Sequence, residues 1–180
     1  MFKSDNPQAA RFCASLEKHI GEKEANYIDE KFTLKRTADA DAKFKWAKDM
    51  CIYLDNHYPE EDIIKIRKDC SCSPGEKAER VKELYESSAD MNEFCEKFNR
   101  EYAPGNQLSF DGKAVYLMYP NCYCSCVKRA TGRLTKAWCY CSLGYAEKMF
   151  SRAFGREVKT ALIESCLTGG SKCVMQIRFA

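Results

Sequence analysis

The chain has 180 residues, 45% hydrophobic and 31% charged, with a formal net charge of +3. That length suits one domain with a sizeable core, and so small a charge, with Lys and Arg mixed among Asp and Glu, argues against nucleic acid or anionic lipid as partner. No stretch approaches the ~20 apolar residues of a membrane span, and the opening MFKSDNPQAARF lacks the apolar core of a signal peptide, so a cytoplasmic protein is expected.

Helices dominate up to Pro104-Gly105. Asn6 before Pro7 is an N-cap followed by proline in the first turn, and Phe12, Leu16 and Ile20 then form an apolar stripe. Thr37 is placed to cap a second helix with Phe44, Ala47, Cys51, Leu54 and Tyr58 on one face. A shorter helix starts near Pro59, with Glu60 and Glu61 favourably set in its first turn. Ser73-Pro74 opens another, carrying Ala78, Val81 and Leu84, and Ser88 opens the last, carrying Met91, Phe94, Cys95, Phe98 and Tyr102.

Beyond Gly105 the period changes to two. Asp111-Gly112 between short apolar runs signals a hairpin, because this pair suits turns with positive φ. A strand is expected from Ala114 through Cys122, Cys124 and Cys126. Ser142 then caps a helix holding Tyr145, Met149, Phe150 and Phe154, ended by Gly155. Strands over 158–166 and 173–179 follow, joined through Thr168-Gly169-Gly170-Ser171. The predicted fold is α+β: a single domain over 1–180, with a helical part, 1–103, packed on a cysteine-rich part, 104–180, of antiparallel hairpins and one crossover helix.

Twelve cysteines in a chain expected in the reducing cytoplasm suggest metal binding or thiol chemistry before a disulfide framework. Alternate residues of a strand share a face, so Cys122, Cys124 and Cys126 project together, as do Cys139 and Cys141. A tight turn on Gly132-Arg133 would set Cys126 opposite Cys139 and Cys124 opposite Cys141, a two-by-two thiol array. A turn on Gly169-Gly170 would set Cys166 opposite Cys173 and Glu164 opposite Met175, on the buried face, where a carboxylate needs a partner. Thiolates on neighbouring strands suit a soft tetrahedral ion, zinc above all, with iron–sulfur ligation or redox-active thiols as the other readings. Cys13, Cys51 and Cys95 lie near helical stripes and read as packing; Cys70 and Cys72 fit either packing or ligation. Nucleophilic catalysis has little support: His19 and His57 have no motif around them, and no phosphate loop, serine elbow or His-based zinc signature is present.

The segment CYCSLGYAEKMFSRAFGREVKTALIESCLTGGSKCVMQI resembles the end of the four-vinyl-reductase type of small-molecule-binding domain, which also forms the aromatic-sensing region of some bacterial transcription activators. The matching elements are Cys139, Gly144-Tyr145-Ala146, Phe154-Gly155-Arg156, Val158, Glu164, Cys166 and Cys173, about 40 residues in all. The resemblance implies a structural zinc held by Cys139, Cys166 and Cys173 with Glu164, beside a pocket for a small apolar or aromatic ligand. Glu164 sits one residue nearer to Cys166, and the turn to Cys173 is one residue shorter, than in those sensors. Cys122, Cys124, Cys126 and Cys141 have no counterpart there and would form a second metal or thiol site. The Gly-turn-Cys ending is also similar to the amino-thiazoline-carboxylate hydrolases and to cysteine-rich bacterial proteins. The expected function is thus a sensor-like, zinc-binding, small-molecule-binding domain, with a hydrolase or thiol-redox protein as the alternative. A homodimer is compatible with the sequence, which names neither the ligand nor any catalytic residue.

Overall fold

A computed structural model of the chain describes residues 2–127 and 131–180, which sort into two compact units. The first runs to Ser71 and resumes over Tyr123–Cys141; the second takes Cys72–Cys122 and Ser142–Ala180. The architecture is α+β, as the change of period implies. No helix among the described residues is long and apolar enough to cross a membrane.

The first unit contains α1 (Pro7–Ile20), α2 (Glu22–Lys31), α3 (Ala40–His57), α4 (Glu60–Asp69) and the opening turns of α7 (Lys136–Phe154). Asn6 caps α1 as expected: its side chain accepts from the Gln8 N–H, and Pro7 supplies the preset φ of a first residue. Ala9, Phe12, Cys13 and Leu16 are the buried stripe, and α1 packs on α2 and α4. The sequence reading assigns no helix to α2, whose apolar signal is thin: only Ala25 and Ile28 are buried apolar residues there, while Tyr27 is exposed. Helix α3 starts two residues beyond Thr37, on Asp39, whose carboxylate accepts from the Ala42 N–H. The rings of Phe12, Trp46 and Trp138 meet edge to face at centroid distances of 5.9 and 5.7 Å, the preferred geometry for aromatic pairs.

The second unit contains α5 (Glu76–Glu86), α6 (Met91–Tyr102), the rest of α7 and a sheet of β1 (Gln107–Phe110), β2 (Val115–Tyr119), β3 (Val158–Glu164) and β4 (Cys173–Phe179). The strand order is β1-β2-β4-β3, with every pair antiparallel. The Asp-Gly hairpin forms as read: Gly112 takes φ 90°, and the Asp111 carboxylate accepts from the N–H groups of Lys113 and Ala114 at 2.9 and 2.7 Å. Leu117, Met175 and Ile177 point into the core, where Tyr85, Phe94, Phe98, Phe150 and Phe154 form a chain of ring contacts.

Two strand expectations fail. Strand β2 stops at Tyr119, ahead of Pro120, which has no N–H to continue a ladder. Cys122, Cys124 and Cys126 therefore lie outside any strand, with a turn closed by the Val127 N–H on the Cys124 carbonyl at 3.1 Å. Cys139 and Cys141 lie in α7, which begins at Lys136 rather than Ser142. Two residues apart on a helix means ~200° of rotation, so these thiols do not share a face. The apolar run Leu143, Ala146, Met149, Phe150 and Ala153 extends backwards through Tyr140 and Ala137, and this helical stripe overrides the local alternation. The expected Gly132-Arg133 hairpin needs residues 128–130, which lie outside the described residues.

The second correction concerns β3 and β4. Leu162, not Glu164, faces Met175, and a bulge then sets Glu164 opposite Val174. Cys166–Thr168 coil into a short 3₁₀ turn, capped by the Ser165 side chain and ended by Gly169 in the left-handed region. That turn takes up the residues a two-residue hairpin on Gly169-Gly170 would have paired.

Candidate functional site

In the first unit, the buried face of α4 falls at Ile63, Ile66 and Arg67, so a guanidinium occupies an apolar position of the stripe. Arg67 is 2% exposed. Its Nε donates to the Ala137 carbonyl at 3.1 Å, one terminal nitrogen to the Trp138 carbonyl at 3.0 Å, and the other to Cys70 Sγ at 3.4 Å. Its carbon lies 4.6 Å from the Trp138 ring centre and 5.2 Å from that of Phe12, so π faces cover the cation. No carboxylate among the described residues pairs with it; the groups that face it include thiols. Burial works against its charge, while Cys70, Cys141, Cys51 and Cys124 around it act in the opposite direction, and the net shift is upward. Burial pushes Cys51 up to about 11 against the pull of Arg67, and burial with the neighbouring Cys124 pushes Cys126 to about 11. Arg67 thus ties the first turn of α7 to α4.

That tie shapes a cavity of about 290 Å³ lined by Asp55, Tyr58, Glu60, Ile63, Thr135, Lys136, Ala137 and Tyr140. Its phenols are held before any ligand arrives. Tyr140 donates its hydroxyl hydrogen to Glu60 Oε1, and Tyr58 donates to Glu24 Oε1 at 3.1 Å, an acceptor it shares with Tyr53 at 3.0 Å. Burial and these carboxylates raise Tyr140 and Tyr58 well above the usual phenol range, so both remain donors. Two carboxylates and one ammonium reach the wall beside apolar groups of Tyr58, Ile63, Ala137 and Tyr140. A one-ring molecule with a hydroxyl or cationic substituent matches that wall in size and polarity.

In the second unit, Cys166 opens the 3₁₀ turn and Cys173 opens β4. The Cys166 N–H donates to Cys173 Sγ at 3.4 Å. Cys122 is near enough for its charge to act on Cys166. Glu164, expected to point inward to a metal, accepts instead from the Ser171 N–H at 2.7 Å, the Ser171 hydroxyl at 3.1 Å and the Lys172 N–H at 3.3 Å. These backbone donors hold its carboxyl below the usual range, so it has found its partner in the turn itself.

The zinc expectation is overturned. Among the described residues, no group of three or more His, Cys, Asp or Glu side chains could hold a metal ion. Of the residues expected to ligate it, Cys139 is buried on α7 in the first unit, whereas Glu164, Cys166 and Cys173 belong to the β3–β4 turn of the second. The second group divides likewise: Cys124, Cys126 and Cys141 surround Arg67, while Cys122 belongs with Cys166. Cys13, Cys51 and Cys95 are buried, in keeping with packing, Cys13 donating to Asp29 Oδ1 at 3.3 Å. Cys70 is buried beside Arg67, and Cys72 is exposed. The sequence reading missed Asp55, Glu60, Lys136, Tyr140 and Arg67 as site residues. A signal existed for Arg67, a charge in register with Ile63 and Ile66.

The whole chain, residues 1–180, matches the model of a family described as a family of unknown function, DUF6144. The chain belongs to that family. The matching model is that family's, and it lends no support to the finer four-vinyl-reductase resemblance of the C-terminal segment. No curated protein matches the sequence. Among solved structures, the chain is similar to an H-NOX protein from Shewanella oneidensis in the Fe(II) ligation state, at 12% identity and a TM-score of 0.48, over 97% of this chain and 96% of that one. The same organism's H-NOX protein in the Fe(II)NO state gives 12% identity and a TM-score of 0.45, over 97% and 99%. The phenol-responsive sensory domain of the transcription activator PoxR, with phenol, gives 12% identity and a TM-score of 0.30, over 96% and 74%. Likeness at this level says nothing of what the present chain binds. The metal named for those H-NOX proteins is iron.

Proposed function

We propose that this protein is a sensor-like small-molecule-binding domain whose ligand sits in the cavity walled by Asp55, Tyr58, Glu60, Lys136 and Tyr140. The observation that carries the reading is the cavity itself, with its phenols fixed in advance by carboxylates. Groups already ordered lose little entropy on binding, which is the physical requirement for useful affinity in so small a site. The ligand class that suits the wall is a single aromatic ring with an ammonium or hydroxyl group. The ring meets Ile63 and the two tyrosines, and the polar end meets Asp55 and Glu60.

Tyramine, phenol and benzoate form a matched probe set for thermal-shift and calorimetric titration of the full chain. Tyramine is expected to raise the melting temperature, phenol less so, and benzoate not at all, because its carboxylate meets Asp55 and Glu60. At ~100 times Kd a ligand adds ~2.7 kcal/mol of stability, a shift of a few degrees for a chain of this size. Glu60→Gln and Asp55→Asn should each weaken tyramine binding. Benzoate stabilising as well as tyramine, or no response to any of the three, defeats the reading.

A further inference from the structure

Cys166 and Cys173 lie outside the ligand cavity and are explained by neither packing nor metal. Both are half-buried free thiols, within reach of a small oxidant. The Cys166 backbone lies against the Cys173 sulfur in a turn whose polar groups are well satisfied. The Ser165 carbonyl accepts from the N–H groups of Thr168 at 3.2 Å and Gly170 at 2.9 Å, and from the Thr168 hydroxyl at 3.1 Å. The Ser165 hydroxyl accepts from the Leu167 N–H at 3.2 Å. On the other side the Glu164 carboxylate clamps Ser171 and Lys172. Gly170 is required by this closeness: a Cβ there would lie 2.6 Å from Glu164 Cγ and 2.9 Å from the Ser165 carbonyl oxygen.

Within this frame the two sulfurs are not equivalent. Cys173 Sγ accepts from the Cys166 N–H at 3.4 Å. Hydrogen bonds to a sulfur favour its thiolate. Cys166 is the donor, and burial together with the neighbouring Cys173 and Cys122 charges pushes its thiol up to about 11. One sulfur is therefore placed to attack, and the other to keep its proton and follow.

We propose that Cys173 and Cys166 form a peroxide-reactive dithiol, with Cys173 the attacking sulfur and Cys166 the resolving one. The Cys173 thiolate attacks one oxygen of a hydroperoxide; the O–O bond breaks, hydroxide (or alkoxide) leaves, and Cys173 becomes a sulfenic acid, oxidised by two electrons. Cys166 loses its proton to the departing base, and its sulfur attacks the Cys173 sulfur. The S–S bond forms as the S–O bond breaks, and the second oxygen leaves as water. With hydrogen peroxide the sum is two thiols plus one peroxide giving one disulfide and two waters. A small thiol reductant restores the pair by exchange.

The test uses the reduced full chain and hydrogen peroxide added in step with protein. Peptide mapping by mass spectrometry is expected to show the 166–173 crosslink at least about ten times ahead of any other oxidation, reversed by dithiothreitol. Cys166→Ser should leave a sulfenic acid trapped at Cys173 by dimedone, and Cys173→Ser should abolish both crosslink and trapping at this turn. Should a variant fold poorly, mapping of the wild-type chain decides the matter without it. A crosslink that joins Cys122 to either partner, equal oxidation across many cysteines, or dimedone on Cys166 instead of Cys173 overturns the assignment.

Discussion

The two units use cysteine in opposite ways. In the first, thiols pack around a buried cation: Cys51 and Cys126 are inside the core, and Arg67 reaches Cys70 while stacked on Trp138 and Phe12. In the second, Cys166 and Cys173 sit half-buried at a turn where a backbone N–H addresses one sulfur. The residue type is the same, and what differs is solvent access and the hydrogen bonds offered to sulfur. Burial raises the energy of a thiolate and makes cysteine a small hydrophobe; a donated N–H lowers it and makes cysteine a nucleophile. A cysteine count therefore says little about chemistry until the surroundings of each sulfur are known.

The sharpest way to break this contrast is native-state labelling. Iodoacetamide should modify Cys173 at least about tenfold faster than Cys51 or Cys126, which must wait for local opening. Mass spectrometry of timed samples reads the rates, and equal rates would erase the distinction. The next largest effect is expected at the buried cation. Arg67→Ala removes three donated hydrogen bonds and empties the space against Trp138 and Phe12, at a cost of about 3 kcal/mol or more in urea unfolding. Cys173→Ser, at the half-buried turn, should cost less than about 1 kcal/mol. If the two variants unfold alike, Arg67 is not the organiser of its unit.

The smallest effect is a pH dependence. Cys51 and Cys126 are pushed from 9.0 to about 11 in the folded chain, so between those values the unfolded state has lost protons that the native state keeps. Stability is then fully present below pH ~9 and falls as pH rises towards ~11, by at most about 1.4 kcal/mol per pH unit for each such thiol. Cys51→Ala should flatten that decline when unfolding is followed across the range. An unchanged slope would show that Cys51 does not hold its proton in the core.

Much of the fold is written in short-range signals. Asn6-Pro7 starts α1, the Asp111-Gly112 pair turns the first hairpin, and the alternation from Cys173 to Phe179 makes β4, because caps, turns and strand faces depend on residues a few positions apart. The site was not legible in the same way. Cys139 and Cys141 alternate like strand residues, yet lie in α7, whose stripe is buried by contacts the local spacing does not contain. Glu164 was readable as a carboxylate in need of a partner, but the bulge and the 3₁₀ turn supplied backbone N–H groups where a metal was expected. Tyr140 and Glu60 meet across 80 residues of chain, and Arg67 finds its two carbonyls 70 and 71 residues away. The sequence alone determined which segments coil and which extend, save where α7 overrode the local alternation. Which charges and thiols share a buried space was decided only by tertiary structure, because desolvation and hydrogen bonding at a sulfur or a guanidinium depend on neighbours that local pattern does not record.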